Sequence, residues 1–388
     1  MGYIQRVVHY PSIRQSFVND VYRQIGGHKT IQPGYLDLLL RIIGTATHVW
    51  SDIDVGGLFS SPAEAHSQTA QWFNAAYDVL YAGMSSPNLE TIQGVIILSF
   101  LLCNLKGVSL RYRSLLSTGL LLGRELGLHR IDHNSDAGSA NTLQAEMGLR
   151  VWLMAARHGG RGIYQVNPRH MMVNKPHNIN DADLHEDSLH RDLPVSQLTE
   201  MSYFLQRVRM AEISRMIVDH DSVAVTDADW QSGYITAMDI ELVHILTYIP
   251  PFFHLDRYKQ GPNSTTSGVF IQAYMLSSLL HTARCKLHLR HFISGQKKEN
   301  PPFYASSRVA CVQAAREIVR GENQLNNSQH PFVLIRMRLS AILYGVFVAS
   351  IVLLVDASVN GTGSPRTRSI MARWPRHCDY LRMQEATR

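Results

Sequence analysis

The chain has 388 residues, 45% hydrophobic and 18% charged, with a formal net charge of +6 when its 19 histidines are neutral. That balance excludes a disordered chain and demands a large interior, arranged as one large domain or two closely packed ones. Lysine and arginine are scattered rather than blocked, so the mild positive charge permits anionic partners without requiring them.

The N-terminus, MGYIQRVVHY, carries no apolar signal core, and Arg6 stands where a myristoylation signal wants Ser or Thr. The first strong helical pattern is TIQGVIILSFLLCNL (91–105), after SSPNLE, whose Ser and Asn offer caps and whose Pro87 precedes or opens the first turn. The short linker KGVS leads to YRSLLSTGLLLGRELGLHR (112–130). There Tyr112, Leu115, Leu116, Gly119, Leu122, Gly123 and Leu126 fall on one side of a helix. Gly119 and Gly123 let a second helix approach closely; each costs about 1 kcal/mol against Ala unless that contact returns it. Gly127 stands where a left-handed C-terminal cap belongs, and Leu128 is placed to fold back on the last turn. NTLQAEMGLRVWLMAARHG (141–159) is a third helix, with His158 in its last turn and Gly159 as its stop. Short connections make these three packed neighbours.

The segment 164–194, polar, Asn-rich and punctuated by prolines, reads as a long surface excursion. Within it Asp181, Asp183, Glu186 and Asp187 lack the order and the glycine of a calcium loop and read as a solvated acidic turn. Helices follow at 196–220, 268–293 and 305–325, with further loops at 294–305 and 360–369. Leu339–Val355 has no charged residue; it is shorter than the roughly 20 apolar residues of a spanning helix and contains Ser340, Tyr344, Gly345 and Ser350. It reads as a buried helix, apolar all round. Alternating strand patterns are nearly absent and no fixed-period repeat is visible. The expected fold is all-α: a single large multi-helix domain over 1–388 with long surface loops.

Catalytic signatures fail on spacing. In HEDSLH, His185 and His190 are five apart, whereas a zinc-protease helix needs four, and GGRGIY (159–164) lacks the context of a dinucleotide turn. There is no P-loop and no G-x-S-x-G elbow. Cys103, Cys285, Cys311 and Cys378 are far apart and read as reduced, buried thiols of an intracellular protein. His281, Cys285 and His288, with His291 nearby, share helical spacing, but one helix rarely completes a tetrahedral site. They read as partly buried polar residues. Arg366, Arg368, Arg373, Arg376, Arg382 and Arg388 suit either an exposed basic tail or a nucleic-acid or importer contact. No catalytic, cofactor-binding or metal-ligating residue is singled out, and an enzyme is not expected.

The pairing of TIQGVIILSFLLCNLKGVSLRYRSLLSTGLLLGRELGLHR with EMGLRVWLMAARHGGRG resembles the regulatory, middle homology region of fungal-specific transcription factors. In that family a helix ending in a Glu-Leu-Gly-Leu-His-Arg-like sequence is followed by a Glu/Arg-Trp helix. The matching residues are Arg124, Glu125, Leu126, Gly127, Leu128, His129 and Arg130, then Glu146, Arg150 and Trp152. MMVNKPHNINDADL resembles the family's loop leading to a D-x-D, and HYPSIRQSFVNDVY its early segment; the resemblance is strongest over 91–187. The motif residues are expected to hold the fold together rather than form a site.

The resemblance implies a regulatory, effector-sensing domain of a nuclear transcription factor controlling RNA polymerase II transcription. The family's DNA-binding segment uses a binuclear zinc cluster of six cysteines, and the N-terminus here has none. Zinc is therefore expected only in a missing upstream segment, and DNA contact only through a missing or separate one. A small-molecule effector and a homodimer are the other partners implied, with no membrane. The loop carrying His170, His177 and Asp181 is expected to bring ligand or partner dependence, with little loss of stability on substitution. The alternative is a stand-alone helical protein on the same scaffold that binds or transforms a hydrophobic metabolite in an apolar pocket of convergent Tyr, His and Arg.

Overall fold

Local sequence signals start and stop the central helices. A computed structural model describes residues 6–17, 21–27, 31–50, 58–83, 87–134, 143–157, 166–185, 192–221, 228–259, 261–262, 266–294 and 302–360. The first half contains α1 (Tyr10–Ser16), α2 (Tyr22–Gly26), α3 (Pro33–His48), α4 (Pro62–Gly83), α5 (Leu89–Lys106), α6 (Leu110–Glu125), α7 (Ile131–Asn134) and α8 (Leu143–Arg157). The second half contains α9 (Ser202–Asp221), α10 (Ala228–Tyr248), α11 (Ser267–Ser294), α12 (Pro302–Asn327), α13 (Phe332–Ile335) and α14 (Ser340–Asn360). Among the described residues there is no strand, and the fold is all-α. The Asn88 side chain caps α5 by accepting from Thr91 N at 2.8 Å, and Ser109 caps α6 by accepting from Tyr112 N at 3.3 Å. Gly107 (φ 66°) ends α5.

Each half is organised around one enclosed helix. In the first, α5 packs against α3, α6 and α8, and nearly every residue from Thr91 to Leu102 is buried. In the second, α11 is surrounded by α9, α10, α12 and α14. The halves are stapled together around the start of α14: Ser340 N donates to Asn104 Oδ1 at 2.8 Å, and Arg338 Nη1 to the His48 carbonyl at 3.2 Å.

The close approach expected at the two α6 glycines is present, with two different partners. A Cβ on Gly119 would lie 2.7 Å from Val95 Cγ1 of α5, and one on Gly123 would lie 3.1 Å from Trp152 Cε3 and Cζ3 of α8. Tyr112, Leu115, Leu116 and Leu122 are buried with them, whereas Leu126, expected on the same face, is 36% exposed. Gly127 adopts φ 71° as the left-handed cap, and Leu128 is buried behind it.

The helix at 339–355 differs from expectation. α14 is covered by α11 and α12 on one side, while Tyr344 and Phe347 are about half exposed, at 47% and 48%. The helix that is buried on nearly every side is α5. Both are long and apolar enough to cross a membrane, with 61% of the relevant α5 stretch and 44% of that in α14 buried inside this molecule.

An ion pair is enclosed between α3 and α5. On α3, Arg41 Nε donates to Asp37 Oδ1 at 2.8 Å, facing α5 at Gly94, where a Cβ would come within 2.9 Å of Asp37 Oδ2. Burial pushes the Asp37 carboxyl up to about 6, against the attraction of Arg41.

Candidate functional site

The loop expected to be a surface excursion is docked on α8 by buried charge. Glu146 and Arg150, one turn apart, are both buried. Arg150 Nε donates to Glu146 Oε1 at 2.9 Å, and its Nη1 donates to Asp181 Oδ1 at 2.7 Å. Asp181 belongs to a 3-10 turn (Asp181–Asp183), and every polar group it owns is used. Its Oδ2 accepts from Arg6 Nη1 at 3.0 Å, its N–H donates to Glu200 Oε2 at 2.9 Å, and its carbonyl accepts from His9 Nε2 at 2.8 Å. Since a carbonyl can only accept, His9 Nε2 carries the proton, and Nδ1 is left to accept from Ser12 Oγ at 2.7 Å and, capping α1, from Ser12 N at 3.4 Å. Arg6 Nη2 also reaches Glu200 Oε1 at 2.5 Å.

This corrects the reading of Asp181 as part of a solvated turn: it is buried, two residues from the exposed Asp183. Glu186 and Asp187 lie outside the described residues. The loop is further pinned by Asn178, whose amide donates to the carbonyls of Leu193, Pro194 and Gln197 at 3.2, 2.9 and 3.1 Å. Thr199 Oγ1 donates to Asn178 Oδ1 at 2.6 Å.

His177 meets the same network from the solvent side, donating from Nδ1 to Glu146 Oε2 at 2.9 Å. Among the described residues Glu146, Asp181 and Glu200 pair with two arginines, Arg6 and Arg150, so a protonated His177 evens the count. The hydrogen bond to Glu146 raises the His177 pKa above its usual value, burial opposing and the charges of Glu146 and Asp192 adding. Burial works against charge on Glu146, but His177 and Arg150 hold its carboxyl below the ordinary value. Because the His177 pKa is raised in the folded chain, its stabilisation is complete below the unfolded pKa and is lost as pH rises through the folded one. Glu146 behaves oppositely, its contribution vanishing as pH falls through its depressed value. The expected result is that His177→Gln removes part of the stability at about pH 6 and much less at about pH 8, the span over which histidine charge changes. Thermal melts of both proteins at the two pH values, with the His177 imidazole titrated by NMR, check this; a pH-independent difference would refute it.

The other residues raised by the sequence are scattered. Arg124 and Glu125 are exposed, Leu126 stands at a rim, and His129 packs against Trp152 with ring centroids 5.8 Å apart. His170 is exposed and takes no part in the ion pairs that hold His177 and Asp181. On α11, His288 Nδ1 contacts Ser307 Oγ at 3.2 Å and its Nε2 lies 3.1 Å from Asp239 Oδ1, which Arg284 also grips. Burial drives His281 down to about 4, aided by the charges of Arg284 and Arg320, so it is neutral at physiological pH. Cys285 and Cys311 each point their thiol at the other's carbonyl at 3.6 Å. Among the described residues no three His, Cys, Asp or Glu side chains gather as metal ligands. Four scattered cysteines do not fit a binuclear zinc cluster, and Cys378, His190 and the arginines beyond 360 lie outside the described residues.

A cleft of about 890 Å³ opens beside the network, between α1, the N-terminal ends of α3, α5 and α8, and the end of α6. His9, Ser12, Tyr35, Glu90, Gln93 and Leu126 are among its walls. Gln93 Nε2 donates to the Val7 carbonyl at 2.7 Å, tying the cleft wall to the strand of chain that carries Arg6 and His9. The sequence had not singled out Arg6, His9, Asn178 or Glu200 as a group; the contacts of Arg6 and His9 with Asp181 and Glu200 span 172 to 194 residues.

No family model and no solved structure matches the chain. It is 29% identical over 413 aligned positions to the probable transcription factor lepB of Aspergillus flavus, covering 99% of this chain and 71% of that protein. It is 28% identical to the transcription factor TAS2 of Pyricularia oryzae over 82% of this chain and 43% of that one. It is 25% identical to the agnestins biosynthesis cluster transcription factor AgnL11 of Paecilomyces divaricatus, over 91% of this chain and 52% of that protein. The chain is thus similar, along nearly its whole length, to fungal transcription factors, which supports a role in transcription regulation.

Proposed function

We propose that these 388 residues form one regulatory, effector-sensing domain of a fungal nuclear transcription factor that controls RNA polymerase II transcription. The observation that carries this reading is the similarity to lepB across 99% of the chain. The proposed means of regulation is the 890 Å³ cleft, which shares His9 with the buried ion-pair network. An occupant that draws His9 or Gln93 toward itself bears on the Asp181 turn, and differential affinity for two arrangements of that turn would shift their populations. DNA is reached through a zinc-bearing segment outside these residues or on another protein, in keeping with relatives longer than this chain. Self-association as a homodimer belongs to the same proposal, as do the absence of a resident cofactor, of a membrane partner and of enzymatic turnover.

The metabolite-transforming alternative draws no support from the comparisons. Its expected pocket of convergent Tyr, His and Arg differs from the large cleft, which among the described residues is lined by His9 and Tyr35 but by no arginine. Fusing residues 1–388 to an unrelated DNA-binding domain is expected to change reporter transcription in a fungal host. A silent fusion, together with turnover of a small apolar metabolite by the purified chain, would reverse the ranking.

A further inference from the structure

On the other side of the Gly127 turn from the large cleft lies a smaller pocket of about 510 Å³, within the roughly 300–1,000 Å³ of small-molecule sites. Arg124, His129 and Arg130 form one wall, Arg169 and His170 the other, and the buried Val166 lies at its base. We propose that this pocket binds the phosphate group of a small phosphorylated molecule, at a site separate from the large cleft.

Three observations carry the proposal. First, the charge is unbalanced. Among the described residues none of Arg124, Arg130 and Arg169 is ion-paired, while most buried or half-buried arginines elsewhere in the fold face carboxylates. Second, the walls are held in place. Met172 N donates to the His129 carbonyl at 2.8 Å, and Asn174 N donates to Asp132 Oδ2, so two backbone groups join one wall to the other. Beneath them Trp152 stacks near His129 and donates from Nε1 to Met171 Sδ at 3.3 Å, which ties both walls to α8. Third, His129 shares the pocket with Arg124 and Arg130: burial, then the charges of Arg130 and Arg124, depress its pKa, and its buried Nδ1 has no hydrogen-bond partner.

Guanidinium groups match phosphate oxygens in pairs of parallel hydrogen bonds, and a phosphate near neutral pH carries the charge that three arginines lack. The concavity favours a small molecule over the smooth surface of a duplex. Because the arginines are exposed, binding weakens as salt rises.

This binding does not rest on the regulatory reading above. The test titrates the full chain with inorganic pyrophosphate, with ADP and with a short DNA duplex by calorimetry at low salt. The expected result is one pyrophosphate per chain, and ADP bound through the same site. Arg130→Ala or Arg169→Ala should weaken both by about tenfold or more, the cost of one charge-assisted hydrogen bond. Arg316→Ala, which removes the same charge from an exposed position on α12, should leave binding unchanged. Circular dichroism melts confirm that each variant is folded. No pyrophosphate binding, equal weakening by Arg316→Ala, binding of ADP without pyrophosphate, or duplex binding that alone depends on Arg130 and Arg169 would each overturn the proposal. An active reporter fusion without pyrophosphate binding sinks this inference and leaves the regulatory reading standing; binding with a silent fusion does the reverse.

Discussion

Arg150→Ala is expected to destabilise the chain by about 3–5 kcal/mol, the cost of removing one partner from a buried ion pair. The substitution strips Glu146 and Asp181 of their shared cation while both stay buried at the junction of α8 and the 166–185 loop. Arg6 still reaches Asp181 at 3.0 Å, but it is itself partly exposed and cannot replace a guanidinium that is fully enclosed. Asp181→Ala should cost a comparable amount, and the double variant less than the sum, because both singles break the same contact. Asp183→Ala, two residues along and exposed, should stay within about 0.5 kcal/mol. Denaturant melts of the four proteins decide the matter. Equal effects from Arg150→Ala and Asp183→Ala would mean that the loop is not docked as described. The sequence-based expectation that this loop tolerates substitution is therefore revised for Asp181 and kept for the exposed His170.

The second large effect concerns α6. Gly123→Leu should destabilise by about 1–3 kcal/mol or more, the usual cost of forcing volume into a packed contact. At Gly123 even a Cβ would lie 3.1 Å from two ring atoms of Trp152, and that ring is held from behind by Met171 and His129. The gain in helix propensity on replacing glycine, up to about 1 kcal/mol, offsets part of the cost but not all. Leu121→Ala should be much milder, because Leu121 is 52% exposed on the opposite side of the helix. Urea midpoints of the two variants give the comparison. If Gly123→Leu unfolds no earlier than Leu121→Ala, the close contact between α6 and α8 is wrong.

The helices legible from sequence are those whose signals are local. Asn88, Ser109, Gly107 and Gly127 lie within a turn of the helix ends that they fix, and the spacing of leucines in α6 declares its buried face. Sequence reading passed over α3, α4 and α10. In α3 the buried face carries Asp37, Arg41 and His48, and in α10 the apolar residues Ile240, Val243 and Tyr248 face solvent, so neither presents one clean apolar stripe. For α14 composition announced burial, yet how much of an apolar helix is covered depends on its neighbours, and α11 and α12 cover only one side.

The resemblance to fungal regulators was carried by the residues themselves, since Arg124 to Arg130 and Glu146, Arg150 and Trp152 stand in a fixed order along the chain. What those residues do was decided in three dimensions. A carboxylate in a polar, Asn-rich loop looks solvated, because desolvation and ion pairing are properties of what surrounds it rather than of its neighbours in sequence. Asp181 became buried because Arg150, 31 positions before it, and Arg6, 175 before it, converge on its two oxygens. The arginines at 124, 130 and 169 became a pocket because the Trp152 ring and one backbone hydrogen bond hold their two segments together. Local free-energy differences of a turn or a cap can be read along the chain; the pairing of distant charges is set only once the core has fixed where the chain runs.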